Sequence, residues 1–261
     1  MRITSTHNTA IRYVRSLERA AVRHVEGVFV AEGIRLIREA VASGQSATLA
    51  LYDRDVLAGS GPGTELLRAL PSWADRSYEV SAQVMARASQ TATSSGVLAV
   101  IRRQSPAPFA ACDSVFGVVL DRLNDPGNAG AIVRTADALG ADYVATLPGS
   151  VDLFSPKVVR AGMGAHFRLP LYPQLSWEDI MREGRCTAVA ASSRGDESID
   201  GFEWPQSTVL VIGNEAHGLS KEVDVSVSRR VHIPMRGGVE SLNASVAAAI
   251  LMYAALGPGP R

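Results

Sequence analysis

The sequence predicts an α/β protein in which a small α/β domain precedes a larger domain built on a mostly parallel sheet. Helical patterns separate near-continuous apolar runs, which is typical of parallel strands covered by helices on both faces. The runs lie near residues 115–120, 142–147, 186–191, 208–212 and 230–233. Two prolines in residues 104–111 predict a linker, so the domains are expected at 1–103 and 112–261.

The front domain alternates helical and strand patterns. Helices are predicted over residues 8–23, 31–43 and 63–70, and strands over Thr48–Tyr52 and Gly96–Ile101. The first helix is expected to bury apolar side chains at helical spacing, namely Ile11, Val14, Leu17 and Ala21.

A row of arginines also lies along one face of the first predicted helix. Arg12, Arg15, Arg19 and Arg23 are spaced by three, four and four residues, which places them on one face. Four like charges repel one another, so the row favours an anionic partner, with an ordinary solvated face as the alternative. Residues 1–105 hold 13 Arg and no Lys against 9 acidic residues, which leaves 13 basic and 17 acidic residues for the remainder. This asymmetry is mild, but it fits a front half that meets an anion.

Composition indicates which partners and which cellular compartment to expect. The formal net charge of zero does not by itself indicate a nucleic-acid partner. Cys112 and Cys186 form neither a metal-ligand spacing nor a disulfide framework, so we expect no metal and a reducing cytoplasm. The first residues lack the apolar core of a secretory signal, and the longest apolar run is too short to span a bilayer.

The first segment that can carry chemistry runs from Leu120 to Ala136. A strand ends there, Pro126 and Gly127 form a turn, and Asn128 can cap a helix that continues to Gly140. Such a helix start can bind an anion, but G-x-G-x-x-G is absent, which disfavours a dinucleotide-binding dehydrogenase. Arg134 lies among residues that should be packed, so it is either paired structurally or directed at a phosphate.

Two further segments break from apolar strand into loop. Residues 210–220 end a strand in Gly213, and residues 231–235 repeat the pattern before residues 239–245 open an alanine-rich helix. Together they predict a ligand held by loops at the carboxyl ends of neighbouring strands.

These three segments (residues 128–136, 212–220, and 233–235 with 240–247) resemble, in order and spacing, the signature motifs of the SpoU-type RNA ribose 2′-O-methyltransferases of the SPOUT superfamily. The front domain resembles the substrate-binding domain of many members, itself similar to a small ribosomal protein. That likeness is carried by Asn8, residues 28–33, Thr91 and residues 96–100.

The resemblance implies a knotted trefoil α/β fold that holds S-adenosylmethionine in the knot, and a homodimer whose active site draws on both subunits. The helix over 244–256 would supply the dimer contact, or else be a core helix. The implied substrate is RNA, with large-subunit (23S) rRNA favoured because a recognition domain precedes the catalytic one. A tRNA ribose methyltransferase and a non-catalytic RNA-binding protein are the alternatives.

By match to the motifs, the backbone around Gly213, Ile233 and Leu242 holds the adenosine of the cofactor. Ala191 and Met235 line the same pocket, with a plain packing role as the alternative for Met235. The polar motif positions, expected to be catalytic, are Asn128, Arg134, Glu215, Ser241 and Asn243. His217 and His166 match no catalytic position of the family.

The resemblance makes Arg134 the candidate general base. Lowering an arginine pKa from about 13 to about 7 costs on the order of 8 kcal/mol, which favours a phosphate clamp that stabilises the alkoxide. Glu215 would organise Arg134 or its own loop. Ser241 and Asn243 have helix capping as their alternative role.

Overall fold

The computed structural model describes residues 2–91, 93–104, 115–184, 186–236 and 241–257. The chain forms two compact units, Met1–Ser105 with Phe154–Phe167, and Pro106–Leu153 with Arg168–Arg261. Apart from Gln104, the predicted linker lies outside the described residues. Among the described residues, no helix has the length and hydropathy needed to cross a membrane.

The first unit contains a five-stranded sheet flanked by helices. Its strands are β1 (Arg2–Ile3), β2 (Val28–Glu32), β3 (Ala47–Tyr52), β4 (Ser77–Val80) and β5 (Val97–Arg102), in the order β1-β4-β3-β5-β2. The helices up to residue 105 are α1 (Thr9–Ser16), α2 (Ala20–Glu26), α3 (Ile34–Ala42), α4 (Arg54–Ala58), α5 (Gly61–Trp73) and α6 (Ala82–Ala88). β5 pairs antiparallel with β2 and β3, so the sheet is mixed.

Two predicted helices of this unit were wrong in their bounds. The helix expected over 8–23 ends at Ser16 and a second begins at Ala20, because the Arg23 guanidinium takes up the backbone carbonyls of Leu17 and Glu18 at the break. Ile11, Val14 and Leu17 are buried as expected, whereas Ala21 is exposed. The helix expected from residue 31 begins at Ile34, and β2 precedes it. Residues 28–31 of β2 are buried and apolar, and periodicity cannot assign so short an apolar run to a strand or a helix.

The second unit contains a seven-stranded sheet in which every neighbouring pair is parallel. Its strands are β6 (Phe116–Leu120), β7 (Tyr143–Thr146), β8 (Leu171–Tyr172), β9 (Thr187–Ala191), β10 (Glu197–Ser198), β11 (Thr208–Ile212) and β12 (Arg229–His232), in the order β10-β12-β9-β11-β6-β7-β8. The helices that follow in the chain are α7 (Pro126–Leu139), α8 (Pro156–Gly162), α9 (Trp177–Gly184), α10 (Lys221–Ser226) and α11 (Ala244–Leu256). The predicted α/β class with a mostly parallel sheet is confirmed.

Residues 154–167, which include α8, pack with the first unit. The ring of Phe29 lies 5.5 Å from that of Phe154 and 6.1 Å from that of Phe167. Gln45 donates a side-chain hydrogen bond of 3.2 Å to the Phe167 carbonyl. Aromatic packing and a buried hydrogen bond therefore hold this segment in place.

The parallel sheet decides where a site can form in the second unit. Its core is a layer of small and branched side chains from four adjacent strands, among them Val119, Ala145, Ala190 and Val211. Since these strands run in one direction, the loops after β6, β9, β11 and β12 all emerge at one edge. The three motif-bearing segments are these loops and their continuations.

Candidate active site

A cavity of about 950 Å³ lies at the carboxyl ends of β9, β11 and β12. It is lined by all five residues predicted to hold the cofactor, namely Ala191, Gly213, Ile233, Met235 and Leu242. Three of the predicted polar residues, Glu215, Ser241 and Asn243, line it as well.

The loop after β11 folds back on itself at one wall of this cavity. Asn214 and Gly218 exchange two backbone hydrogen bonds of 2.9 Å, and the Asn214 Oδ1 atom accepts bonds from the backbone of Ala216 and His217. A Cβ atom at Gly213 would lie 2.8 Å from the Gly218 carbonyl carbon, so this closure requires glycine. The loop is thus a tight, internally bonded turn.

Two polar residues that sequence reasoning missed fasten this turn to the end of β6. The Asp121 carboxylate is 1% exposed and accepts a bond from the Ser220 backbone N–H. The Asn214 Nδ2 atom donates to the Arg122 carbonyl at 2.9 Å. Asp121 directly follows the buried strand β6, and Asn214 follows β11 after Gly213, which is the signal that could have identified them.

Asn128 joins the three motif segments. Its Nδ2 atom donates to Glu215 Oε1 at 2.8 Å, and its Oδ1 atom accepts from Asn243 Nδ2 at 2.9 Å. Asn243 in turn caps α11 through bonds from the backbone of Ser245 and Val246. Residues far apart in sequence therefore meet as one polar chain beside the cavity.

The predicted capping role of Asn128 was wrong. Asp125 is the N-cap of α7, and its Oδ1 atom accepts a bond of 2.7 Å from the Asn128 backbone N–H. Because Asp125 takes this role, the Asn128 side chain is available to Glu215 and Asn243.

Arg134 does not line the cavity of its own chain. Its side chain is exposed on α7, while Ile132, Val133 and Ala136 are buried, as the sequence predicts for its neighbours. No side-chain hydrogen bond or ion pair joins Arg134 to another of the residues described. Among the described residues, the Arg134 guanidinium is therefore exposed and unpaired.

The row of arginines in the first unit is shorter than predicted. Arg12 and Arg19 are exposed and Arg15 is half-buried, but Arg23 is 3% exposed. Including Arg23 in the RNA-binding row was wrong, because its guanidinium donates inward to the Leu17 and Glu18 carbonyls. The break between α1 and α2 also means that the remaining arginines do not follow a single helix.

The cavity lining fits an adenosine-containing ligand. The apolar lining residues Ala191, Ile233 and Leu242 suit a flat base, and Gly213 lines the cavity without a side chain. The lining also includes the Glu215 carboxylate and the amides of Asn214 and Asn243, which can face a charged group. Across the residues with described positions, no cluster of His, Cys, Asp and Glu could hold a metal ion.

Two family models match the chain. Residues 116–253 match the SpoU rRNA Methylase family, and residues 8–99 match the MRM3-like substrate binding domain. The chain is 30% identical to an uncharacterized tRNA/rRNA methyltransferase of Synechocystis, over 97% of this chain and 92% of that protein. It is also 30% identical to the 23S rRNA (uridine(2479)-2′-O)-methyltransferase of Streptomyces viridochromogenes, over 98% of this chain and 91% of that protein.

Comparison with solved structures gives the same result as the family models. The AdoMet-bound rRNA methyltransferase of Sinorhizobium meliloti superposes with a TM-score of 0.84 at 27% identity, covering 98% of this chain and 97% of that one. The SpoU methyltransferase AviRb of Streptomyces viridochromogenes, in complex with AdoMet, gives a TM-score of 0.82 at 29% identity, covering 96% and 97%. With the motif segments gathered at one cavity, these matches establish that the chain belongs to the SpoU rRNA methylase family.

Proposed function

We propose that this protein transfers a methyl group from S-adenosylmethionine to a ribose 2′-oxygen of 23S rRNA in the cytoplasm. The observation that carries the proposal is the meeting of three motif segments at one cavity, where Asn128 bonds to both Glu215 and Asn243. The named 23S rRNA 2′-O-methyltransferase among the relatives supports the choice of RNA.

In this proposal the cavity holds the adenosine part of the donor through its main chain. Gly213, Ile233 and Leu242 present backbone groups that can read the edges of adenine, and Ala191 lines the same wall. Met235, which is 38% exposed, lies at the rim, where its flexible thioether can cover the base. The bound donor supplies an electrophilic methyl group on a sulfonium.

The 2′-hydroxyl is a weak nucleophile until its proton is removed or its developing charge is stabilised. We assign Arg134 to a phosphate next to the target ribose and to the developing alkoxide, since a neutral arginine would cost on the order of 8 kcal/mol. Glu215 and Asn243 hold the loop and the helix start at the reacting side through Asn128, while Ser241 lines the same side.

A homodimer reconciles this assignment with the position of Arg134 outside the cavity of its own chain. The outer face of α11 carries Val246, Ile250 and Tyr253, which are 47%, 38% and 57% exposed at helical spacing. Apolar side chains in such a row mark an interaction surface. Since α11 packs against α7, pairing through α11 would also place Arg134, on α7, near the second subunit. The knotted path of the C-terminal segment belongs to the same proposal.

The arginines that remain in the row support RNA binding by the first unit. Arg12, Arg15 and Arg19 retain the basic surface that the sequence predicts once Arg23 is removed from the row.

Three measurements test the proposal. Calorimetry should detect S-adenosylmethionine binding, and its absence would favour a non-catalytic RNA-binding protein. Ribose methylation mapped in RNA from cells with and without the gene should differ at one 23S rRNA position; a difference in tRNA alone would move the substrate to tRNA. Arg134→Ala should bind the donor normally and lose turnover, and near-normal turnover would refute its assignment.

The shared site has its own test. Mixing Arg134→Ala subunits with Gly213→Ala subunits, each inactive alone, should restore part of the activity, because a mixed dimer contains one site with an intact cavity and a native arginine. Analytical ultracentrifugation should show a dimer that Ile250→Asp dissociates. Mixtures that stay inactive while dimerising normally would place both functions in one subunit.

A further inference from the structure

Arg194 occupies a fixed position at the cavity, and no sequence motif drew attention to it. It follows β9 in a turn that runs to β10, and it lines the cavity together with Ser192 and Ser193. The backbone of Ser192 donates to the Val231 carbonyl at 3.0 Å, and the Arg194 backbone donates to Ser192 Oγ at 3.2 Å. These bonds anchor the turn to β12 on one side and brace it internally.

The neighbouring glycine fixes how closely this turn lies on β12. A Cβ atom at Gly195 would stand 2.6 Å from the Arg230 carbonyl oxygen and 3.0 Å from the Val231 carbonyl carbon. Any larger residue would lift the turn from the strand. The Arg194 backbone is therefore held at the cavity by contacts that do not involve its side chain.

Among the described residues, the other charged side chains at the cavity do not pair with Arg194. Arg230 is held by Asp224, with 3.2 Å between Nη1 and Oδ1 and a further bond to the Asp224 carbonyl. Glu215 accepts from Asn128. The Arg194 side chain is exposed, and none of the described residues accepts a hydrogen bond from its guanidinium or forms an ion pair with it. Of the two arginines that the described part of the chain places in the cavity lining, Arg230 is paired, so Arg194 is the one that can bind an anion.

We infer that Arg194 binds an anionic oxygen group of one of the two reactants. This inference rests on the proposed function, which brings two such groups to the cavity, the carboxylate of the donor's amino-acid part and a phosphate of the RNA. Both present paired oxygens that a guanidinium can grip with two parallel hydrogen bonds. Arg194 would therefore set affinity for one reactant without taking part in the methyl transfer.

The donor arm of the test compares two ligands by calorimetry. S-adenosylhomocysteine carries the carboxylate, whereas 5′-methylthioadenosine lacks the amino-acid part. If Arg194 pairs with the carboxylate, Arg194→Ala weakens S-adenosylhomocysteine binding by roughly tenfold and leaves 5′-methylthioadenosine unchanged. Arg194→Lys, which keeps the charge but loses the fork, should recover part of the loss.

The RNA arm uses transcribed 23S rRNA at several salt concentrations. If Arg194 holds a phosphate, Arg194→Ala leaves both small ligands unchanged, weakens RNA binding, and lowers the salt dependence by about one counterion. Arg182→Ala on α9 is the matched control, because it removes the same charge from a side chain outside the cavity. It should change the binding of neither reactant.

The outcomes distinguish failure of the proposed function from failure of the role inferred for Arg194. If wild-type protein binds neither S-adenosylhomocysteine nor RNA, the proposed function fails and this inference falls with it. If wild-type protein binds both and Arg194→Ala binds both equally well, the proposed function stands and the role of Arg194 is refuted. Loss of one reactant, but not the other, supports the inference and identifies the anion.

Discussion

Replacing Asn128 with alanine removes the link between the three motif segments. The change deletes the 2.8 Å bond to the Glu215 carboxylate and the 2.9 Å bond from Asn243. Hydrogen bonds to charged groups contribute about 1.5–3 kcal/mol and neutral ones about 0.5–1.5 kcal/mol. Glu215 and Asn243 are exposed and water can replace both contacts, so we expect unfolding to become easier by only about 1 kcal/mol.

Asn128→Ala should affect the methylation rate more strongly than the free energy of unfolding, because the same bonds place the loop and the start of α11 around the reacting centre. We expect Asn128→Ala to lower the methylation rate at least tenfold, since small misplacements at an active site are costly. Asn124→Ala is the matched control. It removes the same kind of side chain from the loop that precedes α7, and Asn124 is exposed with no hydrogen bond to the residues described.

A double-mutant cycle of Asn128→Ala and Glu215→Ala isolates the contact between them. The methylation rate should show a coupling of about 1 kcal/mol and urea unfolding a smaller one, because either single change already removes the bond and water can replace it. If the two changes are additive within about 0.3–0.5 kcal/mol in both assays, the Asn128–Glu215 contact does not organise this site.

Three further results are expected. Reversing Arg15 and Arg19 to glutamate should weaken RNA binding and flatten its salt dependence; unchanged affinity would make the row an ordinary wet surface. Arg23→Ala should lower the unfolding free energy by about 1–3 kcal/mol in a urea titration, since it strands buried carbonyls at the α1–α2 break, and a neutral effect would contradict that role. In a Cys112→Ser variant, the Cys186 thiol should react slowly with a disulfide reagent at pH 8 and faster as the pH rises, because burial raises its pKa and keeps it protonated; immediate native-state labelling would oppose this.

The sequence predicted which loops meet at one cavity better than it predicted the helix bounds of the first unit. Near-continuous apolar strands that break into glycine and polar residues identify a parallel sheet and its ligand-bearing edge, because both are local patterns. Asp121 and Asn214 obey the same pattern and could have been found by applying it to the ends of β6 and β11.

What the sequence did not predict depends on specific side-chain contacts, both short-range and long-range in the chain. The break between α1 and α2 rests on the guanidinium of Arg23 reaching back to Leu17, although the arginine spacing there favours a continuous helix. The packing of Phe154 and Phe167 on Phe29 joins residues more than a hundred positions apart. No local periodicity encodes either contact.

The position of Arg134 shows a different limit. The motif correctly places it on a helix among buried neighbours, yet its side chain lies outside the cavity of its own chain. In the proposed dimer, the second subunit would complete the contact of this side chain.

A crystal structure with S-adenosylhomocysteine tests the central claim most directly. The account predicts the adenine within hydrogen-bonding distance of the main chain at Gly213, Ile233 and Leu242, with an Arg134 guanidinium from the neighbouring subunit facing the sulfur. A ligand bound elsewhere, or a sulfur that no arginine of the dimer approaches, would contradict it.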